Sequence, residues 1–328
     1  MKKGIWITAC LLAGLMTFSP TSRADAADQV TIRALTGNLG GSLQVAFGVF
    51  GNTLLKNNPG WKYEMMPGGV VGNAIRLSNG EADIADLQHC LQQAALKGIN
   101  PYKKPILNVS AIANLREINS LHIMVRDEVP IYSIEDIFDG RSVVVAPGAV
   151  GGACYAFATW VIEAYGHSWS DITKNGGKVL SNTFSDVGNM LKDGQVDVFF
   201  WNGPGEVGFV QEYITSKKVR WLPISAEKLE KLEKEHLMLP TVIKADMYGG
   251  AVGKDTPSVT APAGLICRSD MPEEVVYRLT KTVCENWDDV KAGFYPWSEF
   301  IPERGWEGNG FPLHPGAERY YRERGWLK

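Results

Sequence analysis

Short apolar runs alternate with amphipathic segments along most of this chain. Apolar, largely β-branched runs at 30–35, 82–87, 121–126, 142–146, 196–201, 219–224 and 264–268 predict strands. Apolar residues at 43, 47, 50 and 54 recur on one face of a 3.6-residue period and predict a helix. Further helices are expected near 70–79, 153–165 and 273–287. This alternation favours parallel sheets with helical crossovers, which is an α/β fold.

The first 26 residues have the pattern of an export signal. Lys2 and Lys3 precede an apolar segment at 4–18, which is shorter than the roughly 20 residues that a membrane-spanning helix needs. Residues 24–26 form a small-x-small cleavage site, so we expect a periplasmic or secreted chain that begins at Ala27. The alternative, a lipoprotein attached at Cys10, is less favoured because this cysteine lies inside the apolar segment.

Two glycine-rich turns, at 36–42 and 147–152, carry the main functional signal. Each follows a predicted strand and precedes a predicted helix, so each directs free backbone N–H groups and a positive helix end at one point. Such a site suits a small anion such as a carboxylate. The first turn lacks both the Lys-Ser/Thr pair of a phosphate loop and the spacing of a dinucleotide fingerprint. The structural alternative is a tight turn that merely requires glycine.

A chain of this length favours two lobes. If the strand at 264–268 pairs with the strand at 121–126, the chain leaves the first lobe near Arg126 and returns near Thr260. Lobe 1 would then comprise 27–126 and 258–328, and lobe 2 would comprise 127–257. Two crossings form a hinge, and a hinge permits closure around a ligand.

Composition excludes several function classes. The formal net charge of −3 gives no electrostatic basis for nucleic-acid binding. Cys90, Cys154, Cys267 and Cys284 lack metal-binding spacing and could pair in three ways, and we expect buried free thiols. We therefore expect no metal and no cofactor. Cys154 lies near a helix start, where thiols become nucleophilic, but the sequence places no base beside it, so we do not expect an enzyme.

Several motifs occur in a specific order: the turn at 36–42, Gly-Glu-Ala-Asp at 80–83, the turn at 147–152, Asp-Val-Phe-Phe at 197–200, Pro-Glu-Glu-Val-Val-Tyr at 272–277 and His-Pro-Gly-Ala-Glu-Arg-Tyr-Tyr at 314–321. In these motifs the chain resembles the TAXI group of solute-binding proteins, the extracytoplasmic receptors of TRAP (tripartite ATP-independent periplasmic) transporters. The resemblance implies a type II periplasmic-binding-protein fold and delivery of a small organic acid or amino acid to a membrane permease. We expect the receptor to be a monomer.

The candidate ligand contacts lie in the two glycine turns, at two strand ends and in one loop. They are Asn38, Gly40, Gly41, Ser42, Leu43, Gln88, His89, Gly151, Gly152, Ala153, Cys154, Trp201, Asn202 and Tyr248. All but Tyr248 stand where the TAXI resemblance implies ligand contacts, although several hydroxyl residues of that pattern are replaced here. For each residue the alternative is a turn, cap or packing role. Arg76 either reaches a ligand carboxylate or forms an ion pair.

Two other functions stay open at this point. An ABC-type receptor or a sensor domain would share the same fold. A transferase on the same two-lobed scaffold would also share it, with Cys154 as its candidate nucleophile.

Overall fold

The strands of the protein form two separate sheets. The computed structural model describes residues 30–37, 42–116, 119–203, 205–293 and 297–328. In chain order its strands are β1 (Thr31–Leu35), β2 (Lys62–Met66), β3 (Ile84–Gln88), β4 (Val109–Asn114), β5 (Ser120–Arg126), β6 (Val144–Ala146), β7 (Lys178–Val179), β8 (Val198–Gly203), β9 (Val219–Trp221), β10 (Leu239–Ile243), β11 (Thr256–Thr260) and β12 (Ala263–Arg268). Its helices are α1 (Ser42–Asn57), α2 (Val70–Ser78), α3 (His89–Lys97), α4 (Ala153–Ala164), α5 (Trp169–Lys174), α6 (Phe184–Lys192), α7 (Gly208–Ser216), α8 (Ala226–His236), α9 (Glu273–Glu285), α10 (Trp287–Gly293) and α11 (Pro315–Glu323).

The first sheet, with its helices, forms lobe 1. Its strand order is β2-β1-β3-β12-β4, in which β1 is parallel to β2 and β3, and β12 is antiparallel to β3 and β4. Because β1, β2 and β3 are parallel, their carboxyl ends meet at one edge of the sheet. The helices α1, α2 and α3 begin at that edge.

The second sheet, with its helices, forms lobe 2. Its strand order is β10-β11-β5-β8-β6-β7, and β9 pairs with β5 beside β11. β6 is parallel to β7 and β8, so the carboxyl ends of these three strands also share one edge. At that edge Ser120, the first residue of β5, lies opposite Gly203, the last residue of β8.

The pairing that we expected between 121–126 and 264–268 is wrong. β12 lies between β3 and β4, whereas β5 pairs with β8, β9 and β11 in the second sheet. The chain therefore passes between the sheets once between Asn114 and Ser120, and again between Thr260 and Ala263. Both strands are apolar on both faces, so composition did not distinguish their sheets.

The carboxyl-terminal motif has a structural role. His314 caps α11, because its Nδ1 accepts a hydrogen bond from the backbone N–H of Gly316 at 3.1 Å and its Nε2–H donates to the carbonyl of Met271 at 3.1 Å. A Cβ at Gly316 would collide with the carbonyl of Glu273 at the start of α9. The glycine therefore allows α11 to pack closely on α9, and the tail is part of lobe 1.

Alternation along β5 and β8 separates two apolar cores. Ile123 and Phe200 face α4 and belong to the larger core, whereas Met124 and Phe199 face the opposite side and belong to the smaller one.

The four described cysteines are buried and free, which confirms the expectation of free thiols. Within the described ranges, no helix has both the length and the apolar character to cross a membrane.

Candidate functional site

The second glycine turn faces lobe 1. It connects β6 to α4, and both Gly148 (φ +88°) and Gly151 (φ +85°) adopt the left-handed conformation that favours glycine. The carbonyl of Gly151 accepts a hydrogen bond at 3.0 Å from the backbone N–H of Val71, in the first turn of α2. The turn therefore lies at the contact between the lobes.

Thr36 and Gly37, at the start of the first glycine turn, are hydrogen-bonded to residues 68–73, the segment that contains Val71. The backbone N–H of Gly68 donates to the carbonyl of Gly37 at 3.2 Å, and Asn73 Nδ2 donates to the carbonyl of Thr36 at 3.0 Å. Leu43 in α1 packs against Gly37. Residues 68–73 therefore contact both glycine turns. They contact the residues that flank the first turn, and they contact the second turn directly at Gly151.

Part of the first turn lies outside the described residues. Asn38, Gly40 and Gly41 belong to that part, and Ser42 is described as the first residue of α1 but not in its side chain. Their roles in ligand binding stay predictions.

A third glycine turn at the same edge was missed from the sequence. Pro67, Gly68 and Gly69 connect β2 to α2, which repeats the order of strand, glycines and helix. A Cβ at Gly68 would collide with the side chain of Asn73, so the chain approaches too closely for any other residue. The signal was present in the sequence, but the strand at 62–66 is largely exposed and its apolar pattern is weak.

Three helices that follow strand ends begin without a side-chain cap. The N-cap residues of α2, α3 and α4 are Gly69, Gln88 and Gly152, and none of them forms a side-chain cap within the described part of the chain. The first N–H groups of a helix have no intrahelical acceptor. Helix ends of this kind carry partial positive charge and attract anions.

Gln88 and His89 lie where β3 ends at the hinge. The side chain of Gln88 is buried, and its Oε1 has no hydrogen-bond partner among the described residues. The backbone N–H of His89 donates to the carbonyl of Pro262 at 2.9 Å, and its Nδ1–H donates to the same oxygen at 3.0 Å. Burial lowers the pKa of His89, against hydrogen bonds to backbone carbonyls that raise it. His89 thus anchors α3 to the second crossing, and its contact with a ligand stays a prediction.

Trp201 and Asn202 lie at the end of β8, on opposite faces of the second sheet. Trp201 is 6% exposed, and its indole ring lies over Gly203 so closely that a Cβ there would collide with it. The Trp201 Nε1–H and the Asn202 Nδ2 amide are buried and have no hydrogen-bond partner among the residues that the structure describes. Unpaired buried donors are costly, so they mark positions where an acceptor is expected.

Cys154 stands in the first turn of α4, beside Gly148. Burial raises the pKa of its thiol well above the ordinary value, although a hydrogen bond from the backbone of Asn202 opposes this effect. The thiol is therefore protonated and weakly nucleophilic at neutral pH.

Tyr248 packs on the smaller core of lobe 2 and fixes the loop after β8. Its hydroxyl donates to the carbonyl of Gly205 at 3.0 Å, and its backbone N–H donates to the carboxylate of Glu206. Its ring stacks near that of Trp221, with the ring centroids 6.0 Å apart.

The structure places Arg76 in an ion pair with Glu81, at 2.9 Å between Nε and Oε2.

His122 is a buried polar residue that the sequence analysis did not select. It lies in β5 directly opposite Trp201, and it is 0% exposed. Its Nδ1 accepts a hydrogen bond from Trp221 Nε1 at 3.2 Å, so the proton of the neutral ring is on Nε2, which has no partner within the described ranges. Burial lowers the pKa of His122 to about 4. The only feature of the sequence that points to His122 is that it is a single polar residue within an apolar strand.

A cavity of about 270 Å³ adjoins the contact between Val71 and Gly151. Lobe 1 contributes Val71 and Pro101 to its lining, and lobe 2 contributes Tyr155 and Trp160 from α4. The lobes therefore enclose open space beside their contact.

Known proteins share this architecture. The sequence model of the NMT1-like family matches residues 50–325. The structure of the periplasmic binding protein BugD superposes on this protein with a TM-score of 0.53 and 17% sequence identity. The match covers 90% of this chain and 94% of the BugD chain. The structure of MatC from Rhodopseudomonas palustris, solved with bound malate, superposes with a TM-score of 0.51 and 16% sequence identity. The match covers 90% of this chain and 97% of the MatC chain. These similarities confirm the predicted two-lobed fold of periplasmic binding proteins.

Proposed function

Since the chain belongs to the NMT1-like family, we propose that it is a periplasmic solute receptor that binds a small carboxylate between its lobes. In this proposal the lobes divide at the two crossings between the sheets, and not at the limits near 126 and 258 that the sequence suggested. The ligand is held by backbone N–H groups at the glycine turns, and the lobes close over it.

The hydrogen bond between the Val71 N–H and the Gly151 carbonyl carries this proposal. It brings the start of α2 in lobe 1 to within one turn of the start of α4 in lobe 2. Each helix end stabilises a nearby negative charge by about 0.3–1 kcal/mol, and by up to about 2 kcal/mol where the site is partly buried. Two helix ends so close together favour an anion held between the lobes.

Unpaired polar atoms at the strand ends support the same location. Gln88 Oε1 in lobe 1 and Asn202 Nδ2 in lobe 2 are buried without a partner among the described residues. A ligand with both donor and acceptor groups, such as an amino acid or a hydroxy acid, would satisfy them.

The order of motifs that resembles the TAXI group supports a TRAP permease as the membrane partner. The export pattern of residues 1–26 supports periplasmic location, although these residues lie outside the described ranges. Sequencing the amino terminus of the exported protein tests cleavage before Ala27. Ligand uptake by vesicles that contain a TRAP permease, with and without this receptor, tests the partner, and uptake driven by an ATPase would favour the ABC alternative.

The binding site is tested by removing one N–H group. Ala153→Pro deletes the first N–H of α4, and proline is tolerated there because it occupies the first helical position and follows extended Gly152. Hydrogen bonds to charged groups contribute roughly 1.5–3 kcal/mol, so carboxylate affinity should fall roughly tenfold or more. The measurement is calorimetry with organic acids and amino acids.

The matched control is Ala226→Pro, which makes the same change at the first position of α8. It should leave affinity unchanged, and melting curves of both variants report their folding. Unaltered affinity in Ala153→Pro, or no binding of any acid by the wild type, contradicts the proposal.

A further inference from the structure

Resting on the proposed function, we propose that the ligand is a monocarboxylate with an apolar or aromatic body, which packs on three aromatic rings of lobe 2. We call Phe184, Trp201 and Phe209 the aromatic wall. Such a ligand differs from a small dicarboxylate because it has one charged group and an apolar body.

The aromatic wall is a compact cluster from three elements. The ring centroid of Trp201 lies 4.6 Å from that of Phe184 and 4.8 Å from that of Phe209, both in edge-to-face geometry. Phe184 and Phe209 are stacked, with their centroids 5.7 Å apart. Trp201 is buried, whereas Phe184 and Phe209 are half-buried, so the wall keeps apolar surface that is open to contact.

The wall adjoins the proposed carboxylate site. A Cβ built on Gly148, in the second glycine turn, would lie 3.5 Å from the ring of Phe184 and 3.3 Å from the Cβ of Cys154 in the first turn of α4. Trp201 lies over Gly203 at the carboxyl end of β8. The wall therefore lies at the same edge of lobe 2 as the start of α4.

The wall contains one unpaired donor. Trp201 Nε1–H is buried without a hydrogen-bond partner among the described residues. Indole nitrogen is a donor only, so the group that satisfies it must be an acceptor. An apolar surface with a single donor suits a ligand that joins a carboxylate or carbonyl oxygen to an apolar body.

A free cation would favour a second carboxylate, but each of two arginines on the lobe 1 side already has an acidic partner. Arg76 pairs with Glu81 at 2.9 Å and donates to the carbonyl of Pro67, which tethers the third glycine turn. Arg116, beside the first crossing, pairs with Glu307 at 3.3 Å. A second ligand carboxylate at either arginine would compete with the acidic partner already there.

The test is calorimetry of the full mature protein with acetate, isovalerate, phenylacetate and 3-phenylpropionate, compared with succinate and malate. Each methylene buried on the wall should raise affinity roughly fourfold, so 3-phenylpropionate should bind at least tenfold more tightly than acetate, succinate or malate.

Trp201→Phe keeps an aromatic ring and removes the donor, and it should weaken phenylpropionate binding roughly threefold to tenfold. The matched control is Tyr213→Phe, which removes an unpaired buried hydroxyl from the same core at a position outside the wall and should leave binding unchanged.

Tighter binding of succinate or malate than of 3-phenylpropionate overturns the ligand class and leaves the proposed receptor function intact. Equal losses in Trp201→Phe and Tyr213→Phe also overturn it. If none of these acids binds but an amino acid or another organic acid does, the ligand class fails and the carboxylate receptor proposal stands.

Discussion

His122 should make lobe 2 sensitive to mild acid, because the fold holds its imidazole in the neutral form. The side chain is fully buried, and burial lowers its pKa from the ordinary 6.5 to about 4. Trp221 and Trp201 flank it, and the ring of Tyr248 lies 6.1 Å away, so its described neighbours carry no compensating negative charge. Protonation in the folded state is therefore costly.

The sign of the effect follows from proton uptake. The unfolded chain protonates this histidine near pH 6.5, whereas the folded protein does so only near pH 4. Between these values the unfolded state binds more protons, so the free energy of unfolding decreases as the pH falls. A pKa difference of one unit between the folded and unfolded states corresponds to about 1.36 kcal/mol of stability. By about pH 4.5 the lowered pKa of His122 should therefore have reduced the free energy of unfolding by about 2 to 3 kcal/mol.

The assay is urea unfolding of the wild type and of His122→Gln between about pH 7.5 and pH 4.5, followed by circular dichroism. Glutamine offers an oxygen that can accept from Trp221 but does not titrate. Contributions from the rest of the chain are common to both proteins and cancel in the difference. The stability advantage of the wild type over the variant should shrink by about 2 to 3 kcal/mol across this range. Parallel pH profiles for the two proteins would refute the reasoning.

Two further predictions concern closure and stability. Val71→Pro removes the N–H that bonds to Gly151, and a hydrogen bond contributes about 0.5–1.5 kcal/mol, so the ligand-free protein should shift toward open forms, seen as a larger radius of gyration in X-ray scattering. Val70→Pro, one residue earlier, should leave that radius unchanged, and equal shifts in both variants would count against the contact. The side chain of Asp83 is 7% exposed and lies between Arg33 and Arg268. Its burial acts to raise its pKa, but hydrogen bonds from Arg33 and the charges of both arginines outweigh this and lower the pKa. Asp83→Asn should cost about 3 kcal/mol in thermal unfolding, whereas Glu81→Gln, at an exposed ion pair, should change little; similar melting of both would contradict the buried role.

The sequence predicted the elements well where side-chain periodicity decides them. Leu43, Phe47, Phe50 and Leu54 are all buried on α1, as their spacing predicted. The helix expected near 70–79 is α2, and Gly80 (φ +76°) follows its end. These features depend on local geometry, so a single chain reveals them. The two-lobed fold followed from the same alternation together with the order of the motifs.

Long-range choices were harder to predict. The strand at 121–126 was recognised, but its sheet was not, because strands buried on both faces carry the same apolar residues in either sheet. The third glycine turn was missed because β2 is an exposed edge strand. His122 and Trp201 become neighbours only through the register of β5 and β8, which depends on tertiary packing.

The central claim is that the two lobes hold a carboxylate between the starts of α2 and α4. A crystal structure of the protein with the small molecule that it retains on purification tests this most directly. We predict a carboxylate oxygen within about 2.7–3.2 Å of a backbone N–H at the start of α4, and contact of the same ligand with lobe 1. A ligand bound to one lobe alone, or held by side chains away from the glycine turns, would contradict it.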